Sequence, residues 1–116
     1  MVELPVAVLM STYNGEQFLE SQINSILNQD YDNIHLYIRD DGSRDGTINI
    51  IKEFCKRDSR VTFINELDIC NLGVVRSFMR LLEEIDSELY MFSDQDDVWL
   101  PSKISDSVSR IYSMNY

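Results

Sequence analysis

Three carboxylates stand within four positions of the chain, at Asp94, Asp96 and Asp97, directly after a short apolar run. The run, residues 89–92, contains Tyr and Phe and is too short for a helix, which indicates a buried strand. The acids then follow the carboxyl end of a strand, where open α/β sheets bind ligands. Close carboxylates repel one another, so their spacing needs a reason. A bound divalent cation, whose coordination shell is completed by substrate phosphates, would supply one. The alternative is a solvated acidic turn, since acids are common in loops.

The composition of the 116-residue chain limits the class of protein. It carries 20 acidic and 10 basic residues, a net charge of −10, and 44% of its residues are hydrophobic. We therefore expect one domain, or part of one, with a buried core. The negative charge argues against non-specific binding to nucleic acid or to an anionic membrane. It is compatible with an anionic ligand that is bound through a cation.

Two features of the sequence bear on its location. The two cysteines, Cys55 and Cys70, have neither the spacing of a metal site nor that of a disulfide framework, which favours a reducing compartment. We find no run of about 18 apolar residues that would span a membrane, and residues 1–5 lack the basic region of a signal peptide. We expect a cytoplasmic protein without a transmembrane segment, and peripheral attachment at the inner membrane face stays open.

Hydrophobic periodicity predicts strands at 6–10, 34–38, 61–64 and 89–92, each followed by a helix. Asn14 with Gln17 resembles a capping box for the first helix, Asp45 or Thr47 can cap the second, and Pro101 suits the first turn of the last. The apolar positions expected on the inner helix faces are Phe18, Leu19, Ile23, Ile26 and Leu27, then Ile48, Ile51, Phe54 and Cys55, then Val75, Phe78, Met79, Leu82 and Ile85, and finally Ile104, Val108, Ile111 and Tyr112.

This β-α-β-α-β-α-β-α order predicts an α/β fold, a Rossmann-like and mostly parallel sheet with flanking helices. In the common strand order 3-2-1-4, the first and fourth strands are neighbours at the switch point. Segments that follow parallel strands then meet at one edge. The side chains that we expect to converge there are Ser11, Tyr13, Asp41, Arg76, Asp94 and Asp96.

Such a mixture of side chains suits a nucleotide. A ring can stack on the base, acids can accept from ribose hydroxyls or base N–H groups, and a metal can bind the diphosphate. The sequence has neither G-x-G-x-x-G nor G-x-x-x-x-G-K-[ST]. A cation, instead of a glycine-rich backbone cradle, would therefore neutralise the phosphates.

Four short motifs occur in order along almost the whole chain. They are Ser-Thr-Tyr-Asn at 11–14, Asp-Asp-Gly-Ser at 40–43, Asn-Leu-Gly at 71–73 followed by Arg76, and Ser-Asp-Gln-Asp-Asp at 93–97. Together they resemble the nucleotide-sugar half of a family 2 glycosyltransferase of the GT-A fold. The form Ser-Asp-Gln-Asp-Asp-Val-Trp, with Pro101 and Lys103, is similar to bacterial rhamnosyltransferase-like members that act in polysaccharide biosynthesis.

The resemblance implies roles for individual residues, and each role has a plain structural alternative. Ser11 and Tyr13 would contact the nucleoside, or Tyr13 would only cover the end of the sheet. Asp41 would accept from the base N–H, or only form a turn. Arg76 would lie along the nucleotide, or pair with a surface acid. The D-x-D motif at 94–96 would place Asp94 near the ribose and Asp96 on the metal, whereas Asp97 would orient or cap.

The resemblance also implies an activity. It is the inverting transfer of a sugar from a nucleoside-diphosphate sugar to a carbohydrate or lipid-linked glycan acceptor, with Mg²⁺ or Mn²⁺ as cofactor. Residues 1–116 would be the donor-binding part, truncated before the acceptor-binding half. The general base would lie beyond Tyr116, so no catalytic residue is assigned within this chain. We also expect self-association through the open edge of the fourth strand.

Other classes of protein stay open as alternatives. A strand followed by Asp94-x-Asp96 also fits the first motif of haloacid-dehalogenase-type phosphatases, with Asp94 as the nucleophile. That motif normally opens its domain, and no later Lys or acid pair completes such a site here. The loop from Asp41 imitates an EF-hand, but Lys52 stands where the bidentate Glu belongs. A nucleotide- or metal-binding module without catalysis is a further alternative.

Overall fold

Strands and helices alternate along the chain in the predicted order. The computed structural model describes residues 3–94 and 96–115, with side chains up to residue 113. The elements are β1 (Val6–Thr12), α1 (Glu16–Leu27), β2 (Ile34–Asp40), α2 (Thr47–Arg57), β3 (Val61–Phe63), α3 (Val74–Glu84), β4 (Leu89–Ser93) and α4 (Lys103–Asn115). The predicted α/β fold is therefore confirmed.

The four strands form one parallel sheet in the order β3-β2-β1-β4. Strand β1 pairs with β2 through Thr12 opposite Asp40, and with β4 through Met10 opposite Ser93. All residues of β1 are buried, as expected for a central strand of a parallel sheet covered on both faces. The first and fourth strands are neighbours, as the sequence predicts.

The two faces of the sheet are covered unequally. Val8 and Met10 of β1 point into the larger core cluster, to which α1, α2 and α4 all contribute. Ala7 and Leu9 point to the opposite face, where Leu81 of α3 completes a much smaller cluster. Three helices therefore cover one face of the sheet, and one helix covers part of the other.

The inner face of α3 differs from the prediction. Val75 is 68% exposed and Met79 is 54% exposed, and Leu82 is exposed as well, whereas Ser77 and Leu81 are buried against the sheet. The helix carries two stripes of side chains, and the one with the polar Ser77 faces inward because that serine is hydrogen-bonded there. The two other predicted residues, Phe78 and Ile85, are partly buried and pack against the smaller cluster, so the prediction from apolar periodicity is right for them and wrong for the three exposed residues.

Smaller corrections concern the other helices. Phe18 and Ile111 are exposed, so neither belongs to the core. The capping-box prediction is wrong, because Gly15 is the N-cap of α1 and its start has no side-chain cap. The N-cap of α2 is Gly46, and the neighbouring Asp45 carboxylate accepts from the Thr47 N–H at 3.0 Å. Helix α4 begins at Lys103, so Pro101 precedes its first turn.

Strand β4 lies at the edge of the sheet. Among residues 3–94 and 96–115 it pairs with β1 alone, and Tyr90 and Phe92 on its outer face are exposed. Phe92 packs edge-on against Phe78 of α3, with ring centroids 5.4 Å apart. The described residues therefore leave the outer edge of β4 unpaired, as the predicted self-association requires. The association itself stays a prediction. None of the described helices has the length and apolarity needed to cross a membrane.

Candidate functional site

The carboxyl ends of β1, β2 and β4 bring most of the predicted site to one edge of the sheet. Ser11 and Asp94 each stand one residue beyond the paired positions Met10 and Ser93. Asp41 directly follows β2, and its N–H donates to the Thr12 carbonyl at 2.8 Å. The nucleoside-binding and metal-binding segments predicted from the sequence therefore share the switch point between β1 and its neighbours.

Asp40 builds the turn that follows β2. Its side chain is buried, and one carboxylate oxygen accepts from the N–H groups of Gly42 and Ser43 at 3.0 and 2.8 Å. The other oxygen accepts from the hydroxyls of Thr12 and Ser43 at 2.8 and 2.6 Å. Gly42 has a φ of 93°, which favours glycine over any residue with a Cβ. Asp40 therefore holds the turn and is not available to a ligand.

Asp41 joins this turn to the loop before α3. Its Oδ1 accepts from the Arg39 guanidinium at 2.9 Å and from the Leu72 N–H at 2.7 Å, and its Oδ2 accepts from the Gly73 N–H at 3.1 Å. Because a carboxylate oxygen can accept two hydrogen bonds, Oδ2 retains capacity for one further donor. The predicted contact of Asp41 with a base N–H is compatible with this geometry and stays a prediction.

Arg39 is a buried cation that the sequence reasoning missed. It is 2% exposed, and besides Asp41 its guanidinium donates to the Ser77 hydroxyl at 2.9 Å and to the Cys70 carbonyl at 3.0 Å. The Ser77 hydroxyl also accepts from the Ser11 hydroxyl at 2.6 Å. The only signal in the sequence is a charged residue at the end of an otherwise apolar strand. Ser11 thus lies at the predicted edge, with its hydroxyl donating toward α3.

The segment after β1 presents an aromatic ring at the surface. Tyr13 is 48% exposed, and the next residue, Asn14, has a left-handed φ of 49°. The Asn14 N–H donates to the Ser43 hydroxyl, and its side-chain oxygen accepts from the Arg44 N–H, both at 2.8 Å. These two bonds tie the loop after β1 to the loop after β2. Tyr13 is thus held beside both loops, where a base could stack on its ring.

The acidic segment after β4 is exposed, unlike the buried acids Asp40 and Asp41 after β2. Asp94 and Asp96 are exposed, and Asp96 adopts a left-handed φ of 69°. Asp97 is half-buried and lies 3.7 Å from the Lys103 ammonium, so an ion pair engages it. Gln95, the middle residue of the predicted D-x-D motif, lies outside the described residues. The two carboxylates assigned to the ribose and the metal are accessible to a ligand.

Among the described residues, the Arg76 side chain forms no ion pair with the other predicted site residues. It is exposed on α3 and lines a shallow groove of about 310 Å³ with Leu72, Met79, Arg80 and Glu83. Within the described ranges, no ion pair involves Arg76. Its predicted place along the nucleotide stays a prediction.

The chemistry of this edge fits an oxygen-bound cation. Within residues 3–94 and 96–115, no group of three or more His, Cys, Asp or Glu side chains is arranged to hold a metal. Mg²⁺ in phosphate-binding sites usually takes one or two carboxylates and completes its shell with water and substrate phosphates. Asp96, with Asp94 beside it, is the donor set of that kind at this edge.

Comparison with known proteins identifies the family. Glycosyl transferase family 2 matches residues 7–116. The dTDP-rhamnosyl transferase RfbG of Shigella flexneri is 41% identical over 91% of this chain and 38% of its own length. The Escherichia coli β-1,3-glucosyltransferase WfgD, which is named for UDP-Glc, is 31% identical over 95% of this chain and 42% of its own length.

Solved structures share the fold. Staphylococcus aureus TarS 1–349 in complex with UDP-GlcNAc superimposes with a TM-score of 0.82 at 22% identity, covering 95% of this chain and 32% of that one. The mannosyltransferase PcManGT of Pyrobaculum calidifontis, in complex with GDP-Man and Mn²⁺, gives 0.82 at 21% identity, covering 92% and 32%. The chain spans about a third of the length of the first curated relatives it matches. The matched family leaves the phosphatase and EF-hand alternatives without support, and the chain belongs to glycosyl transferase family 2.

Proposed function

We propose that this chain is the donor-binding part of an inverting, metal-dependent glycosyltransferase. The observation that carries the proposal is the pair of exposed carboxylates, Asp94 and Asp96, at the end of β4 beside β1, in a chain of this family. The relatives support it, because RfbG is named for a dTDP-rhamnosyl donor and PcManGT holds GDP-Man with Mn²⁺.

The proposed donor is a nucleoside-diphosphate sugar, and the residues of this edge bind and orient it. Tyr13 stacks on the base, Asp41 accepts a base N–H through the remaining capacity of its Oδ2, and Ser11 lies against the nucleoside. Asp94 accepts from a ribose hydroxyl. Arg76 lies along the nucleotide, which requires its side chain to turn from the outer groove of α3 toward the cleft.

The proposed reaction is a single displacement at the anomeric carbon. The hydroxyl oxygen of a carbohydrate or lipid-linked glycan acceptor forms the new C–O bond on the face opposite the diphosphate. The bond from the anomeric carbon to the diphosphate oxygen breaks, and the hydroxyl proton passes to a general base that we place outside residues 1–116. A divalent cation held by Asp96 would offset the negative charge that the leaving diphosphate gains.

Calorimetry with a panel of nucleotide sugars tests this proposal. The chain is titrated with dTDP-, UDP- and GDP-sugars in Mn²⁺, in Mg²⁺ and in EDTA. We expect one nucleotide class to bind in the presence of metal and to bind markedly more weakly in EDTA, because the diphosphate then lacks the cation that neutralises its charge. No binding by any of the three classes, or hydrolysis of a generic phosphate ester, would overturn the proposal.

A further inference from the structure

Polar side chains on α1, and just beyond its end, face the segment that follows β4. Gln22 and Ser25 are three residues apart on one face of α1, and Gln29 follows two residues after the helix ends. Gln22 is only 1% exposed and Gln29 is also buried. Buried amides are uncommon and are found hydrogen-bonded, so their partners indicate what the stripe holds.

Gln22 holds the point at which the acidic segment begins. Its Nε2 donates to the Ser93 hydroxyl at 2.9 Å and to the Asp94 carbonyl at 2.5 Å. The same carbonyl accepts from the Asp97 N–H at 3.3 Å, which closes the turn containing Asp96. One amide group of α1 therefore fixes the peptide from which the Asp96 turn is built.

Gln29 holds a different part of the chain. Its Nε2 donates to the Leu100 carbonyl at 2.7 Å and its Oε1 accepts from the Ile104 N–H at 2.9 Å, at the start of α4. The Ser25 hydroxyl between the two glutamines accepts from the Trp99 N–H at 3.0 Å. Gln29 thus docks α4, whereas Gln22 alone of the three contacts the residues that begin the turn.

We propose that Gln22 is a positioning residue for the divalent cation, and this inference rests on the proposed function. By fixing the Asp94 carbonyl, to which the Asp97 N–H also donates, it holds the start of the acidic segment in one place relative to β1. The left-handed backbone of Asp96 is costly for a residue with a Cβ and is kept only where its surroundings enforce it. Without the Gln22 amide, the turn relaxes and the Asp96 carboxylate no longer faces the diphosphate in one fixed geometry.

Loss of the Gln22 amide should weaken metal binding and leave recognition of the base unchanged. Partners that orient metal ligands typically contribute about 10–100-fold to metal affinity. We expect Gln22→Met to raise the Mn²⁺ concentration needed for half-maximal nucleotide binding by about that factor. Nucleotide affinity in EDTA should stay at the parental value, because Tyr13 and Asp41 are held by other contacts.

The experiment follows nucleoside diphosphate binding by calorimetry across a series of Mn²⁺ concentrations, with dTDP, UDP or GDP, whichever binds the parent. Gln22→Leu, which also removes the NH₂ donor and adds no charge, is the second variant and should show the same shift. Gln29→Met removes another buried amide, just after the end of the same helix, and should keep the parental Mn²⁺ dependence. Ser93→Ala leaves the bond to the Asp94 carbonyl intact and should also keep it.

The outcomes separate the two levels of the proposal. If the parent binds none of the three nucleotides, the proposed function itself fails. If the parent binds and both Gln22 variants respond to Mn²⁺ as the parent does, the positioning role is wrong. An equal shift in Gln29→Met would also overturn it, because the effect would then follow from losing any buried amide in this part of the chain.

Discussion

Two acidic segments meet the same edge of the sheet and differ in almost every physical respect. Asp40 and Asp41 are buried, and all four of their carboxylate oxygens accept hydrogen bonds from the protein. Asp94 and Asp96 are exposed, and the protein holds their segment through its backbone. Burial and partners therefore distinguish a segment that builds the site, in which only Oδ2 of Asp41 keeps capacity for a further donor, from a segment whose carboxylates are open to a ligand.

The largest expected effect is a loss of stability on changing the buried segment. Arg39→Met leaves the Asp41 carboxylate buried without its cation, and losing one partner of a buried pair typically costs about 3–5 kcal/mol. Urea denaturation should show that decrease in the free energy of unfolding. Arg76→Met removes an exposed guanidinium as the control and should leave stability within about 0.5 kcal/mol. Equal losses in the two variants would contradict the division.

A smaller loss is expected where the carboxylate of the turn is changed. Asp40→Asn keeps one acceptor oxygen but turns an NH₂ group toward N–H donors, which should lower the free energy of unfolding by about 1–3 kcal/mol. Asp94→Asn makes the same change in the exposed segment and should have little effect. The comparison between the segments would be wrong if Asp94→Asn were the more destabilising substitution in urea denaturation.

Tyr13→Ala should weaken nucleotide binding and leave the stability of the fold nearly unchanged. The ring is half exposed, so its removal costs little core packing. If the ring stacks on a base, nucleotide binding should weaken by roughly 1–3 kcal/mol, measured by calorimetry. A large drop in melting temperature with intact binding would favour the purely structural alternative, in which Tyr13 covers the end of the sheet.

The smallest expected effect is a pH dependence from the loop after β2. Burial raises the pKa of Asp45, but hydrogen bonds from the Thr47 hydroxyl and N–H and the Glu16 N–H outweigh it, so the pKa lies below its usual 3.8. A lowered pKa contributes stability above 3.8 that is lost as the pH falls through the folded-state value. Asp45→Asn should therefore show a shallower loss of stability on acidification than the parent, and an identical slope would contradict this role.

The sequence was sufficient for the order of elements because each strand and helix is encoded in a local run of residues. Residues 6–10 of β1 and 34–38 of β2 are recognisable from their own apolar content, whereas the two polar residues that end each strand are not. The motif acids could be located in the same way, since the end of a strand determines the edge at which they lie.

The sequence does not reveal hydrogen bonds between residues that are far apart along the chain. The bonds from Arg39 to Ser77 and from Gln22 to Asp94 join residues 38 and 72 positions apart, and no local pattern encodes them. The same holds for α3, where two stripes of side chains compete and only the fold decides that Ser77 faces inward. For this reason the sequence alone indicates neither the bonds of Asp41 to Arg39 and Leu72 nor the role of Gln22.

The central claim is that the exposed segment, and Asp96 in particular, binds a metal that holds the nucleoside diphosphate. Calorimetry of the parent and Asp96→Asn with nucleoside diphosphate, in Mn²⁺ and in EDTA, tests it most directly. We predict that Asp96→Asn loses the metal-dependent part of the affinity while its urea denaturation matches that of the parent. Affinity in Mn²⁺ equal to that of the parent, or parental affinity that EDTA does not change, would contradict the claim.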